Sequence, residues 1–252
     1  MGDLLERIRE TKVTNCRMFA CEKKLTEHLL RWVDETNPQH YNRNHFVALQ
    51  PLTSEDIAFI IEEQKNSDLQ GFILKSPWKL PDALIKTFAL SEERQLIWAQ
   101  VNGGCRNCSV NPFVTIHDCQ QEDISEQLLQ LCLSDVSNQS EQKWIRSAVE
   151  EVLIVAQKNP NYHWLLACHA EEAVGYCYAF QANDLVQMED LWIAETYRRQ
   201  NIASTMLSYV QTHFEGTLFF HSEDNDTLRE IYAKMGFDIV GAQYEYSKVW
   251  RK

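Results

Sequence analysis

The stretch EDLWIAETYRRQNIASTML, Glu189–Leu207, decides how the rest of the chain is read. An apolar strand ends near Ile193, the chain turns through polar residues, and a helix starts at about Asn201 with Ile202, Met206, Leu207, Val210 and Phe214 on one side. The first N–H groups of such a helix have no intrahelical partner and carry the positive end of its dipole, so the junction is a seat for an anion, phosphate above all. Arg198 and Arg199 add fixed positive charge, and the small Ala203 and Ser204 let a ligand come close to the backbone. Taken alone, the same residues also describe a helix start with two solvated arginines.

Reading outward, residues 163–168 and 173–180 form two strands joined by the turn His169–Glu172, and Leu185–Ile193 is a longer strand. Downstream lie a strand at Thr217–His221, a helix at Thr227–Lys234 ended by Gly236, and a closing strand at Asp238–Val249. Upstream lie a strand at Phe113–Ile116 and helices at Ile124–Leu133 and Trp144–Gln157. The order βααβββαβαβ predicts an α+β domain, a mixed central sheet with helices on both faces.

The first part of the chain is less regular. Residues 1–35 read as helix, with Leu4, Leu5 and Ile8 on one apolar face and Leu25, Leu29, Leu30 and Val33 on another. Thr53 and Asp56 resemble a capping box before a helix at Ile57–Gln64. Strands at Phe72–Lys75 and Gln95–Val101 flank a helix at Pro81–Leu90. Asn102-Gly103-Gly104 and Asn111-Pro112 break the chain, which divides it into a smaller α/β domain, 1–111, and the domain 112–252. FVALQPLTSEDI (Phe46–Ile57) and FVTIHDCQQEDI (Phe113–Ile124) share five of twelve positions, residue types that any strand–turn–helix favours, so a degenerate copy of part of the second domain is one reading of the first, beside a wall of the acceptor side or a dimer interface.

With these elements placed, Tyr197-Arg198-Arg199-Gln200-Asn201-Ile202-Ala203 resembles the pyrophosphate-binding signature of the GNAT superfamily of N-acetyltransferases, Q/R-x-x-G-x-G/A after a strand. Asn201 stands where that family usually has Gly, and Asn is the next most tolerant residue of a left-handed backbone. NDTLREIYAKMGF, Asn225–Phe237, resembles the family's later motif, with Asn225, Tyr232, Lys234, Gly236 and Phe237 matching and Leu228 in place of the usual Ala. The resemblance covers about 113–252 and implies acetyl-CoA as co-substrate, in a cleft where the strands Leu185–Ile193 and Thr217–His221 part. Its pyrophosphate would meet the amides of Arg199, Gln200, Asn201, Ile202, Ala203 and Ser204 beside Arg198. Its pantetheine would pair with the edge at Leu191, Trp192 and Ile193, where the N–H near Ile193 polarises the thioester carbonyl. Tyr232 takes the family's general-acid position and Asn225 a cofactor- or water-ordering one. Glu189, which shares strand parity with Leu191 and Ile193, is the candidate base, directly or through water; a bulge would exchange its role with Asp190. Trp192 and Tyr197 line the cleft or simply pack.

Composition bounds the partners. The chain has 252 residues, 36 acidic and 24 basic, a net charge of −12. Residues 1–111 hold 14 basic and 15 acidic side chains, and residues 112–252 hold 10 and 21, so the second part carries −11. Such a surface disfavours nucleic acid and favours a cationic acceptor, a small-molecule or peptide amine. Charge alone also suits a merely solvated face. No apolar run reaches membrane-spanning length and MGDLLERIRE is no secretory signal, so the expected setting is the cytoplasm, with reduced thiols. Cys105, Cys108, His117 and Cys119 permit a zinc site to be written down, but their spacing matches no common finger, and no metal is expected. The resemblance thus implies an acetyltransferase, with a non-catalytic acyl-CoA-binding regulatory protein of the same fold as the alternative and a homodimer among the arrangements open to residues 1–111.

Overall fold

The computed structural model describes residues 2–38, 40, 43–65, 71–101, 109–134, 136 and 138–249. In chain order the elements are α1 (Gly2–Cys16), β1 (Cys21–Lys24), β2 (Leu29–Val33), β3 (Phe46–Ala48), α2 (Ser54–Lys65), β4 (Gly71–Ser76), α3 (Asp82–Phe88) and β5 (Ser91–Ala99). There follow β6 (Val114–Asp118), α4 (Ser125–Leu133), α5 (Gln139–Lys158), β7 (Tyr162–His169), β8 (Glu172–Ala182) and β9 (Leu185–Ile193). The chain closes with α6 (Ile202–His213), β10 (Thr217–Glu223), α7 (Asp226–Lys234) and β11 (Asp238–Val249). It forms two compact units, the first made of Met1–Thr11, Trp98–Phe220 and Glu230–Asp238, the second of Lys12–Ile97, His221–Arg229 and Ile239–Lys252. These units partition the chain differently from the linear division at 111/112, because β5, β10, α7 and β11 carry it back and forth.

In the first unit β6, β7, β8 and β9 pair antiparallel in sequence order, and β10 adds in parallel to β9. The β7–β8 turn places Ala170 and Glu171 at positive φ, as a two-residue hairpin turn requires. On one face of the sheet α6 packs, burying Ile202, Met206, Leu207 and Val210, and Phe214 after it meets the His163 ring at 4.6 Å. On the other face lie α4 and α5, and Cys132 of α4 shares a hydrogen bond with Tyr176 of β8. This is the expected mixed sheet with helices on both sides. At about 1.5–3 kcal/mol for each large apolar side chain removed from water, the buried stripe of α6 fixes that helix against the sheet.

In the second unit β1, β2 and β3 pair antiparallel, β3 is parallel to β4, and β4 is antiparallel to the last strand of the chain, β11. Its core gathers Leu29, Phe46, Ile57, Ile60, Phe72, Leu74 and Tyr246. The helix expected over 1–35 stops at Cys16. Leu29 enters the main core while Leu30 and Trp32 enter a separate cluster with Ala20, so both faces of this segment are buried and its apolar run imitates a helical one. The two stretches of the sequence echo sit in different strand arrangements, β3 being parallel to β4 and β6 antiparallel to β7. The strand–helix–strand β3–α2–β4, a parallel pair, corresponds to β9–α6–β10, whereas β6, which begins beside the echo's Phe113, is antiparallel to its partner β7.

Candidate functional site

β9 and β10 begin as partners and then part. Thr217, Leu218 and Phe219 pair with Leu185, Val186 and Gln187, and the rest of β9, Met188–Ile193, runs on without a β10 partner. On its other side β9 follows β8 with an irregularity. Tyr178 faces Glu189 and Tyr176 faces Trp192, so Asp190 and Leu191 together oppose the single residue Cys177. Asp190 takes φ 54°. This is a β-bulge, and it corrects the simple alternation. Glu189 shares a face with Trp192 and with Tyr176 and Tyr178, not with Ile193. Gln187, buried on that face, donates from Nε2 to Glu189 Oε1 at 3.0 Å and holds the carboxylate. Past the bulge, Ala194 N donates to Val174 O at 2.9 Å, so the N–H and C=O of Ile193 turn away from β8 toward the free edge. Gly175 allows this close approach, since a Cβ there would stand 2.5 Å from Ile193 Cδ1 and 2.8 Å from Trp192 O.

Between β9 and α6 the chain makes a 3-10 turn at Glu195–Tyr197 and then a loop with Arg199 at φ 62° and Asn201 at φ 61°. Asn201 is the N-cap of α6 in the left-handed region, the conformation for which the sequence would more commonly supply Gly, and its side chain makes no capping hydrogen bond. The first amides of α6 are therefore not capped by this side chain, and the junction holds two residues in the left-handed region within three positions. Ile202 and Ser204 bury their side chains, so a ligand meets only their backbone. Arg198 is exposed, and its Nε donates to Ile193 O at 3.1 Å, tying the loop to the end of β9. Arg199 and Gln200 are exposed, with Gln200 Nε2 donating to Thr196 O.

Sequence reasoning missed Asn111. It donates from its backbone N to Thr205 Oγ1 at 2.8 Å and from Nδ2 to Gln200 O at 2.9 Å, bracing the loop and the first turn of α6. In the sequence Asn111-Pro112 signals only a break. Tyr197 donates its hydroxyl to Glu172 Oε2 at 2.7 Å, so it anchors the turn to β8.

The Tyr232 ring lies among Phe220 (centroids 4.6 Å apart), Trp98 (5.4 Å) and Phe237 (6.4 Å), beside the point where β10 leaves β9. Burial raises its pKa above the ordinary tyrosine value, and its hydroxyl has no hydrogen-bond partner among the described residues. Asn225 is spent differently from the role carried over to it: its Oδ1 accepts the N–H of Thr227 at 2.9 Å and of Leu228 at 3.3 Å, capping α7. It belongs to the second unit.

Of the four residues of the zinc reading, Cys105 and Cys108 lie outside the described residues. His117 is engaged by Thr115 at 3.0 Å and Glu122 at 2.7 Å. Cys119 accepts the Trp164 N–H, and burial pushes its thiol up to about 11, against the thiolate that zinc binding requires. Among the described residues no group of three or more His, Cys, Asp or Glu is placed to hold a metal, and no helix is long and apolar enough to cross a membrane.

Three comparisons bear on this geometry. No curated protein sequence matches the chain. Among solved structures, it is similar to a functionally unknown conserved protein from Staphylococcus epidermidis, with 14% identity over 91% of this chain and 94% of that one and a TM-score of 0.75. It is similar as well to a GCN5-related N-acetyltransferase from Kribbella flavida, at 12% identity, 96% and 94% coverage and TM-score 0.65. A tandem GNAT protein from the clavulanic acid biosynthesis pathway shares the fold at 12% identity, 89% and 79% coverage and TM-score 0.57. The family model for the acetyltransferase (GNAT) family matches residues 125–237, the segment that holds α4 to α7 and the parted strands. Residues 125–237 thus match the acetyltransferase (GNAT) family, and the fold is shared with GNAT proteins over most of the chain.

Proposed function

We propose that the chain is an acetyl-CoA-dependent N-acetyltransferase that moves the acetyl group to a primary amine of a small cationic molecule or peptide by direct attack in a ternary complex. The observation that carries this reading is the parting of β9 from β10 after Gln187 and Phe219, next to an α6 start that Asn201 leaves without a side-chain cap. The parted edge suits an extended pantetheine, and the α6 amides with Arg198 and Arg199 suit the diphosphate.

In this mechanism the acceptor ammonium gives a proton to Glu189, directly or through water, and the neutral amine nitrogen attacks the thioester carbonyl carbon. The N–H of Ile193 donates to the oxygen as it becomes an oxyanion. When the carbon–sulfur bond breaks, the departing thiolate takes the Tyr232 proton, and the second proton of the attacking nitrogen leaves to water as the amide forms, from which the Tyr232 phenolate is reprotonated. The acidic character of residues 112–252 supports a cationic acceptor held in the cytoplasm, and residues 1–111 are proposed as a degenerate half that carries no second cofactor.

An amine-panel assay with acetyl-CoA, read as free thiol, tests the reading. Amine-dependent thiol release that drops in Tyr232→Phe is expected. Tight CoA binding with no transfer to any amine, unchanged by that substitution, would instead establish the regulatory alternative.

A further inference from the structure

The face of the sheet that carries Glu189 also carries a row of aromatic rings. Tyr162 stacks on Tyr178 (centroids 5.3 Å, planes 23° apart), Tyr178 lies 6.0 Å from Trp164, Trp164 lies 5.5 Å from Tyr176, and Tyr176 stacks on Trp192 (5.5 Å, 18°). The row crosses β7, β8 and β9 and rises out of the core as it goes. Tyr162 is 2% exposed and Trp164 6%, whereas Tyr176, Tyr178 and Trp192 are only half-buried. In a continuous sheet the next strand would cover the last ring. Here β10 has stopped pairing at Gln187, before β9 reaches Trp192, so the row ends at a strand edge with no β10 partner; a pantetheine paired along that edge would lie in the plane of the sheet and leave the Trp192 ring, which stands on the face, open. Tyr176 is the ring that meets Trp192 among the described residues, and it does so from the β8 side.

The bulge at Asp190 and Leu191 is what brings Trp192 onto this face. Without it, alternation would send Trp192 and Glu189 to opposite sides. The same backbone irregularity thus sets a candidate base and the open end of an aromatic stack on one surface, three residues apart.

We propose that the acceptor is an amine borne on a planar aromatic ring, which continues the stack on the outer side of Trp192 while its amine reaches toward Glu189. This rests on the acetyltransferase reading of the parted strands and narrows its acceptor. A flat ring gains from offset stacking on Trp192 beyond the area it buries, and an aliphatic chain of the same size does not.

The test uses the full chain with acetyl-CoA and two primary amines of equal reach, 2-phenylethylamine and 2-cyclohexylethylamine, with spermidine as a flexible polycation. The proposal expects kcat/KM to favour the phenyl amine over the cyclohexyl one by about 2- to 12-fold. That ratio falls to about one in Trp192→Leu and is kept in Trp192→Phe. The ratio isolates the ring, because any effect of Trp192 on the cofactor applies to both amines. A ratio near one in the unaltered chain, a ratio untouched by Trp192→Leu, or a preference for spermidine over both overturns the proposal while leaving an acetyltransferase in place. If CoA binds but no amine is acetylated, the same ratio, read by calorimetry as the Kd of each amine for the CoA-loaded protein, decides between the same outcomes. If neither CoA binding nor transfer is found, the underlying reading falls and the ring proposal with it.

Discussion

Tyr232 keeps its proton because burial among Phe220, Trp98 and Phe237 disfavours the phenolate. A general acid must be protonated to act, so activity would fall only as pH rises through its pKa. That pKa lies above the ordinary 10.0. The account therefore expects the alkaline limb of kcat to stay level to about pH 10 wherever Tyr232 is the limiting acid, and Tyr232→Phe to lower kcat about 100-fold with little change in acetyl-CoA affinity. A pH–rate series on both proteins checks this; an alkaline pKa near 8 that persists in the variant would assign the limb to another group. Tyr232 was legible from its motif, and its cage of rings was not, since Trp98 stands more than a hundred positions earlier in the chain. Asn225 shows the limit of carrying a role across by motif. The residue is where the pattern wants it, but its oxygen serves the α7 N-terminus.

At the scale of elements, β9 and α6 were readable because each repeats its apolar residues with the period of its own geometry, and both bounds fall close to those expected. The bulge could be named as an option but not placed. It depends on which β8 residue faces which β9 residue, and that register is set by pairing rather than by the β9 sequence. Strand β2 was missed for a related reason, since burial on both faces erases the alternation that marks a strand, while its partner β1 is exposed along its whole length and has no apolar residue pattern to read.

Two substitutions probe the junction. Asn201→Val, with a β-branched side chain forced to φ near 61°, should destabilise the protein by about 1–2 kcal/mol and weaken CoA binding, while Asn201→Gly should keep both, as read by thermal melts with and without CoA. Gly175→Ala would drive a methyl group into Trp192 O and Ile193 Cδ1, and is expected to cost about 1–3 kcal/mol in chemical unfolding. An unchanged midpoint in that variant would mean that β8 and β9 do not approach as closely as described.

At the scale of the molecule, two parallel strand–helix–strand units, β3–α2–β4 and β9–α6–β10, differ at the start of the helix. In the second unit the start of α2 is closed by its own residues. Thr53 N donates to Asp56 Oδ2 at 2.8 Å, and His28 Nδ1 lies 3.2 Å from the same oxygen. Burial works against the charge of Asp56, yet the hydrogen bonds from Thr53 and His28 hold its pKa below the usual carboxylate value, so a carboxylate occupies the place a phosphate would need. Calorimetry should accordingly give one CoA per chain.

The second unit also sets an acid limit on stability. Burial, with Arg43 adding to it, pulls His40 down to about 4, whereas an unfolded histidine titrates near 6.5. Between those values the unfolded chain binds a proton that folded His40 does not, so this contribution to stability is present above pH 6.5 and is lost as pH falls toward 4. Urea unfolding at pH 7 and pH 4.5 should show a loss of about 2–3 kcal/mol from this group. The loss should shrink in His40→Gln.

The account turns on the α6 start holding the diphosphate of CoA. Titrating CoA into nitrogen-15-labelled protein and following the backbone amide resonances tests this residue by residue. The account predicts saturable shifts at Arg199, Gln200, Asn201, Ile202, Ala203 and Ser204, with Ile193 moving alongside them. Saturating CoA that leaves those amides in place, or shifts only resonances elsewhere, would contradict it.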